Sequence, residues 1–252
     1  MISILLTIIT NKIKLLKMEK PYLKIKILIL LLVCLTNSGI MAQSAFEGLY
    51  IEGGIGAERL WLKSTNKTLK VENGPFAGTY PRTTKYVPET DFTAKVNIVA
   101  LTQVSNKFLL GIGIEFEPVS AGVKEVETTG QAGNIAIHTY EQKSHFNFYL
   151  SPAFEIKENK LVFAKVGYSQ SHSDIEFDAE HSPDHIAQGF VLGLGYRQII
   201  KKGFYFFGEA QYVHYVPADY IVATIASGVL YTTSEKTSST GIATYFGVGY
   251  KF

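Results

Sequence analysis

The chain contains a single cysteine, Cys34, which excludes a disulfide framework and a multi-thiolate metal site. No apolar run approaches the roughly 20 residues that a helical membrane span needs. A basic surface is also missing from the body of the protein. Residues 1–42 carry six lysines (Lys12, Lys14, Lys17, Lys20, Lys24 and Lys26) and one acid, Glu19, which leaves 18 basic and 21 acidic residues elsewhere, a net of −3. That balance gives nucleic acid nothing to bind. Nor is there a nucleotide-binding loop, because Gly53, Gly54 and Gly56 fall within a predicted strand and not between a strand and a helix. What the 252 residues do have is 46% hydrophobic and 13% aromatic content against 18% charge, too apolar for a disordered chain and enough for one sizeable domain.

The basic end reads as a secretory leader. Lys20, Lys24 and Lys26 precede an unbroken apolar run from Ile27 to Leu35, followed by Thr36, Asn37, Ser38 and Gly39. A positive segment, a short apolar segment and a small residue at the cut define a signal peptide, here residues 1–42 with cleavage after Ala42. Nine apolar residues are too few to cross about 30 Å of hydrocarbon. Met18 offers a second start and a leader of ordinary length, and Ile40 is a bulky residue three before the cut. Val33 before Cys34 argues against lipid attachment. The mature chain, 43–252, then has no cysteine.

From Phe46 onward the pattern alternates with period two, the mark of strands with one apolar face. Ile242, Thr244, Phe246, Val248, Tyr250 and Phe252 share one face of the final strand. Phe108, Leu110, Ile112, Ile114 and Phe116 oppose Leu109, Gly111, Gly113, Glu115 and Glu117. Large apolar residues on one side suit lipid, and small or polar residues on the other suit the crowded inside of a narrow barrel. The spacing predicts strands over 47–59, 91–102, 107–117, 144–156, 161–170, 188–198, 203–215 and 241–252. The connections 103–106, 157–160 and 199–202 are tight, whereas 60–90, 118–143, 171–187 and 216–240 are long. The expected fold is therefore all-β: an eight-stranded antiparallel transmembrane β-barrel with short periplasmic turns and long outer loops. Pro152, inside the fourth strand, predicts a bulge. Residues 123–128 and 134–140 alternate weakly and predict a hairpin above the membrane.

The stretches Gly189–Tyr215 and Gly48–Gly56 resemble a late hairpin and the first strand of small outer-membrane barrels of the OmpA/OmpX/OmpW type. Phe246, Val248, Tyr250 and Phe252 resemble the C-terminal assembly signal of such proteins. The resemblance implies a porin-like barrel in the outer membrane of a Gram-negative bacterium, with outer-membrane lipid, the barrel assembly machinery and a partner for the outer loops as its contacts. No peptidoglycan-binding or plug domain is expected.

On these phases Glu52, Lys95, Glu115, Glu155, Lys165, Arg197 and Glu209 point inward. Facing lipid, an Arg or Lys at mid-depth would cost about 2–4 kcal/mol; inside, opposite charges can pair. Two readings stand: a structural plug of ion pairs, with Lys95 and Glu115 at similar heights, or a gate in a narrow conduit. Tyr149, Phe207, Val213 and Tyr245, also inward, either fill the interior or line a site for small apolar molecules, as an OmpW-like conduit requires. His181 and His185 flank Pro183 near Asp178, Glu180 and Asp184, a loose metal grouping at most. His138, His145, His172 and His214 are isolated. No histidine is followed two residues later by serine, unlike the lipid A deacylase family. No catalytic, cofactor-binding or metal-ligating residue is assigned. The expected role is non-enzymatic: envelope integrity or surface contact.

Overall fold

The computed structural model describes residues 44–81, 83–86, 88–119, 124–129, 135–177, 180–181, 185–226 and 229–252; the leader assigned to 1–42 lies outside them. Twelve strands follow in chain order: β1 (Gly48–Val71), β2 (Gly78–Pro81), β3 (Thr83–Tyr86), β4 (Glu89–Ser105), β5 (Phe108–Val119), β6 (Lys124–Thr129), β7 (Ile135–Lys157), β8 (Lys160–Phe177), β9 (Glu180–His181), β10 (His185–Lys201), β11 (Phe204–Ala226) and β12 (Val229–Lys251). Eight of them form a closed antiparallel ring, β1-β4-β5-β7-β8-β10-β11-β12, sealed where β12 pairs with β1. Following paired residues once around, from Glu52 through Asn97, Glu115, Asn147, Ser169, Gly189, Tyr215 and Ser239, returns to β1 at Leu62, ten positions further on. That stagger is what tilted strands need to close a barrel, and eight strands leave an interior that side chains fill.

The outward face is apolar. Ile55, Phe92, Val96, Ile114, Leu150, Val166, Leu192, Leu194, Ile242 and Phe246 are all exposed. Aromatic rings gather at its two margins: Phe204, Tyr250 and Phe252 stack edge to face near the turns (centroids 4.9 and 5.1 Å), and Phe190 lies against Tyr212 and His214 on the far side. An apolar band between aromatic girdles is the surface of a barrel in lipid. The inward glycines make room for rings: a Cβ at Gly113, Gly195 or Gly249 would stand 2.3 Å from Tyr149, Phe163 or Tyr205. Gly113→Val is therefore expected to destabilise the barrel by about 1–3 kcal/mol through overpacking, read as an earlier urea unfolding midpoint in lipid vesicles. A midpoint equal to the parent's would show that the Tyr149 ring has room to yield.

The turns at one end are tight, with Lys107 (φ 66), Lys202 (φ 42) and Gly203 (φ 86) supplying the left-handed positions that two-residue hairpins need. Residues 44–47 cap this end. Phe46 is fully buried, its carbonyl accepts the Tyr50 hydroxyl, Ser44 N donates to Gln103 Oε1 (2.8 Å) and Ser44 Oγ to Glu155 Oε2 (2.6 Å).

Two expectations are corrected. The outer loops are largely strand: β1 runs twelve residues past 59, and β11 pairs with β12 from Phe204–Tyr250 out to Ala226–Val229. Outside the bilayer neither face must be apolar, so Thr- and Ser-rich stretches such as Tyr231–Thr240 continue the ladder on β-propensity alone. The hairpin expected over 123–128 and 134–140 is present as β6 paired with the start of β7; residues 123 and 134 lie outside the described residues. The second correction is Pro152. It pairs with Leu110 and causes no register shift; the ladder to β8 merely skips from Leu150–Val166 to Ala153–Phe163 in the same register. Proline lacks only one donor, and here that donor's place faces β8. The irregularities of β7 fall instead at Gln142/Ser144 and Glu155/Lys157.

Candidate functional site

The barrel interior holds a network of buried charge. At its centre is a closed quartet. Lys95 Nζ stands 2.8 Å from Glu115 Oε2 and 2.9 Å from Glu209 Oε2; Lys165 Nζ stands 2.7 Å from Glu115 Oε2 and 2.7 Å from Glu209 Oε1. All four side chains are wholly enclosed. Cations and anions alternate, so each charge meets two of opposite sign and the quartet is neutral. Amide donors complete it: Asn147 Nδ2 to Glu115 Oε1 (2.9 Å), and Gln211 Nε2 to Glu115 Oε1 (2.7 Å) and Glu209 Oε1 (2.6 Å). Enclosed charge is tolerable only when paired and hydrogen-bonded in this way.

Towards the turns lies a second pair. Arg197 Nε meets Glu52 Oε1 at 2.5 Å, Tyr205 donates to the same oxygen (2.9 Å), and Asn97 donates to Glu52 Oε2. Tyr149 donates to Asn97 Oδ1 (2.7 Å). The Arg197 guanidinium lies over the Phe163 ring at 4.1 Å, while its two Nη atoms have no hydrogen-bond partner among the described residues. Lys165 lies 4.5 Å from the Tyr149 ring centre, and Lys95 lies 4.1 Å from that of Tyr245 and 5.6 Å from that of Phe207. Three of the four inward apolar candidates for a ligand site thus pack on the network's own cations. Val213 is buried beyond them.

Towards the outer side stands a third group. Glu117 Oε2 accepts from Tyr245 (2.6 Å) and Thr93 (3.3 Å). His145 Nδ1 is 3.2 Å from the Tyr215 hydroxyl, which is 3.1 Å from Ser169 Oγ. Glu58, Glu117 and His145 each bring a ligand atom to within 4.8 Å of the others.

The structure thus brings together six of the seven inward charges: Glu52, Lys95, Glu115, Lys165, Arg197 and Glu209. Glu155 stands apart at the rim, held by Ser44, because it lies at the turn end of β7, two residues before the strand stops at Lys157. Phe246, Val248, Tyr250 and Phe252 lie on the outward face of β12 and its end. Among the histidines, His214 Nδ1 meets Thr240 Oγ1 at 3.0 Å; Asp178, Pro183 and Asp184 lie outside the described residues. Asn97, Asn147 and Gln211 are members that charge does not select, and Glu58, Glu117 and His145, which share the inward phase of their strands, lie towards the outer margins of the expected strands.

No family model matches the chain, and no curated protein matches it. Solved structures do. Outer membrane protein OprG from Pseudomonas aeruginosa aligns with a TM-score of 0.53 at 13% identity, over 82% of this chain and 96% of that one. The outer membrane protease OmpT from Escherichia coli aligns at 0.46 and 8% identity (86% and 100%), and Ail, the attachment invasion locus protein of Yersinia pestis, at 0.41 and 11% (82% and 100%). At such identities the likeness is one of fold. The fold is that of the small outer-membrane β-barrels.

Proposed function

We propose that this barrel is a non-enzymatic envelope protein that works through its outer surface, in envelope integrity or in contact with a partner outside the cell, and not through its lumen. The observation that supports this is the quartet of Lys95, Glu115, Lys165 and Glu209, wholly enclosed at the centre of the ring. A conduit would need these four charges to part, at a cost of several kcal/mol for each charge left unpaired. The long outer strands offer the alternative working surface. Outer-membrane lipid and the barrel assembly machinery are its contacts during biogenesis.

Complementation of a deletion strain separates surface from lumen. Detergent sensitivity of the envelope and adhesion are the readouts. One variant replaces residues 220–235 by a two-residue turn between the paired Asp219 and Lys236. A second carries Lys165→Met with Glu209→Gln, which alters the lumen and leaves the outer strands intact. The shortened variant is expected to insert yet fail to complement, and the lumen variant to complement. The opposite outcome would assign the function to the interior.

A further inference from the structure

Anions outnumber cations inside this barrel. Among the described residues the buried charged side chains are Glu52, Glu58, Glu115, Glu117 and Glu209 against Lys95, Lys165 and Arg197. Glu52 is matched to Arg197, and Glu115 and Glu209 to the two lysines. Glu58 and Glu117 are the two remaining buried carboxylates, and they are not scattered. With His145 they form one cluster, each residue at most 2% exposed, with ligand atoms within 4.8 Å of one another. Glu117 and His145 are cross-strand partners on β5 and β7, and Glu58 comes from β1, with only β4 between β1 and β5.

Two buried amides lie in the neighbouring layer. Asn147, two residues from His145 on the same face of β7, and Gln211, which shares Glu115 Oε1 with it, have an Oδ1 and an Oε1 with no hydrogen-bond partner among the described residues. Both residues are almost wholly buried. Two carboxylates and an imidazole brought together away from water make a set of ligands for a cation.

We propose that Glu58, Glu117 and His145 bind one divalent cation of the Mn²⁺–Zn²⁺ kind inside the outer half of the barrel. A single imidazole with two carboxylates suits these metals; Ca²⁺ and Mg²⁺ prefer all-oxygen sites. Bonds of about 2.0–2.2 Å place ligand atoms roughly 3–4 Å apart, so the cluster closes on the metal with small side-chain rotations. The second shell is in place. Tyr215 holds His145 at Nδ1, which presents Nε2 to the cation, while Tyr245 and Thr93 hold Glu117 at Oε2; such partners fix the tautomer and orient the ligands. Since the cluster is enclosed, the metal enters as the barrel closes and then stays, tying β1, β5 and β7 together.

The test uses protein extracted from outer membranes in mild detergent. Its metal content is measured by elemental mass spectrometry before and after dialysis against EDTA, and again after unfolding. The same protein is then refolded with EDTA, with Zn²⁺ or with Mn²⁺, and its thermal midpoint is read. The expected result is close to one metal per barrel, retained in EDTA while folded and released on unfolding, with a higher midpoint after refolding with one of the two metals. Glu117→Gln and His145→Asn should each lower metal affinity by about tenfold or more and abolish the metal-dependent shift, while Glu155→Gln keeps both. If either cluster variant fails to insert, the parent's stoichiometry and its two refolding arms decide. No metal above background in the extracted protein, together with no shift from either ion, would overturn the proposal and assign the charge balance to protons shared by the carboxylates.

Discussion

Glu115→Ala is expected to cost the folded barrel about 3–5 kcal/mol, the penalty for removing one partner of an enclosed ion pair. Glu115 is the most heavily used acceptor in the interior: Lys95 and Lys165 share its Oε2, and Asn147 and Gln211 share its Oε1. Its loss leaves two enclosed ammonium groups with one carboxylate, Glu209, in a space that water does not reach. Glu115→Gln with Lys165→Met removes one charge of each sign and should recover most of the loss, since replacing both members of an enclosed pair is far less costly than breaking it. Urea unfolding in lipid vesicles, followed by tryptophan fluorescence of Trp61, reads both variants. A loss below about 1 kcal/mol for the single substitution, the range of a solvated surface pair, would mean that water reaches the network.

Phe252→Ala is expected to act elsewhere, lowering the amount of barrel inserted in cells several-fold while leaving refolding into detergent near the parent's. The Phe252 side chain is 65% exposed towards lipid, beside the Tyr250 ring. Complete burial of a phenylalanine is worth roughly 1.5–3 kcal/mol, and a ring exposed to this extent realises only part of that. The closing contact at this end is made by the backbone, with Phe252 N donating to Leu49 O at 2.9 Å, and alanine keeps it. The assembly machinery, in contrast, reads side chains at alternate positions, as the resemblance of Phe246, Val248, Tyr250 and Phe252 to an assembly signal implies. Equal surface abundance of variant and parent at equal expression would remove that role from Phe252.

Much of this architecture is legible in the sequence because a barrel wall has two unlike sides and a strand has period two. Phase alone places Glu52, Lys95, Glu115, Lys165, Arg197 and Glu209 inside. It does not pair them: Glu52 and Arg197 lie 145 positions apart, and which residues meet depends on the stagger accumulated around eight strands. The outer halves of β1, β11 and β12 are hidden for another reason. Bilayer thickness sets where apolar alternation stops and leaves open where hydrogen bonding stops, so polar stretches such as Tyr231–Thr240 read as loop. Glu58 and His145 fall at the margins of the strands that bilayer thickness delimits, where lone polar residues carry little weight, and only the closed ring brings them to Glu117. Pro152 shows the same limit at one position, since alternation says which face a residue occupies and nothing about which neighbour its amide addresses.

The central claim is that the lumen is closed by its own side chains, and single-channel recording in planar bilayers tests it most directly. Purified barrel reconstituted at neutral pH in molar salt should add no stable current steps above the leak of the bare membrane, because the quartet of Lys95, Glu115, Lys165 and Glu209 sits wholly enclosed at the centre of the ring. Long-lived, uniform openings from the monomeric protein would contradict the account and show that ions pass between those charges.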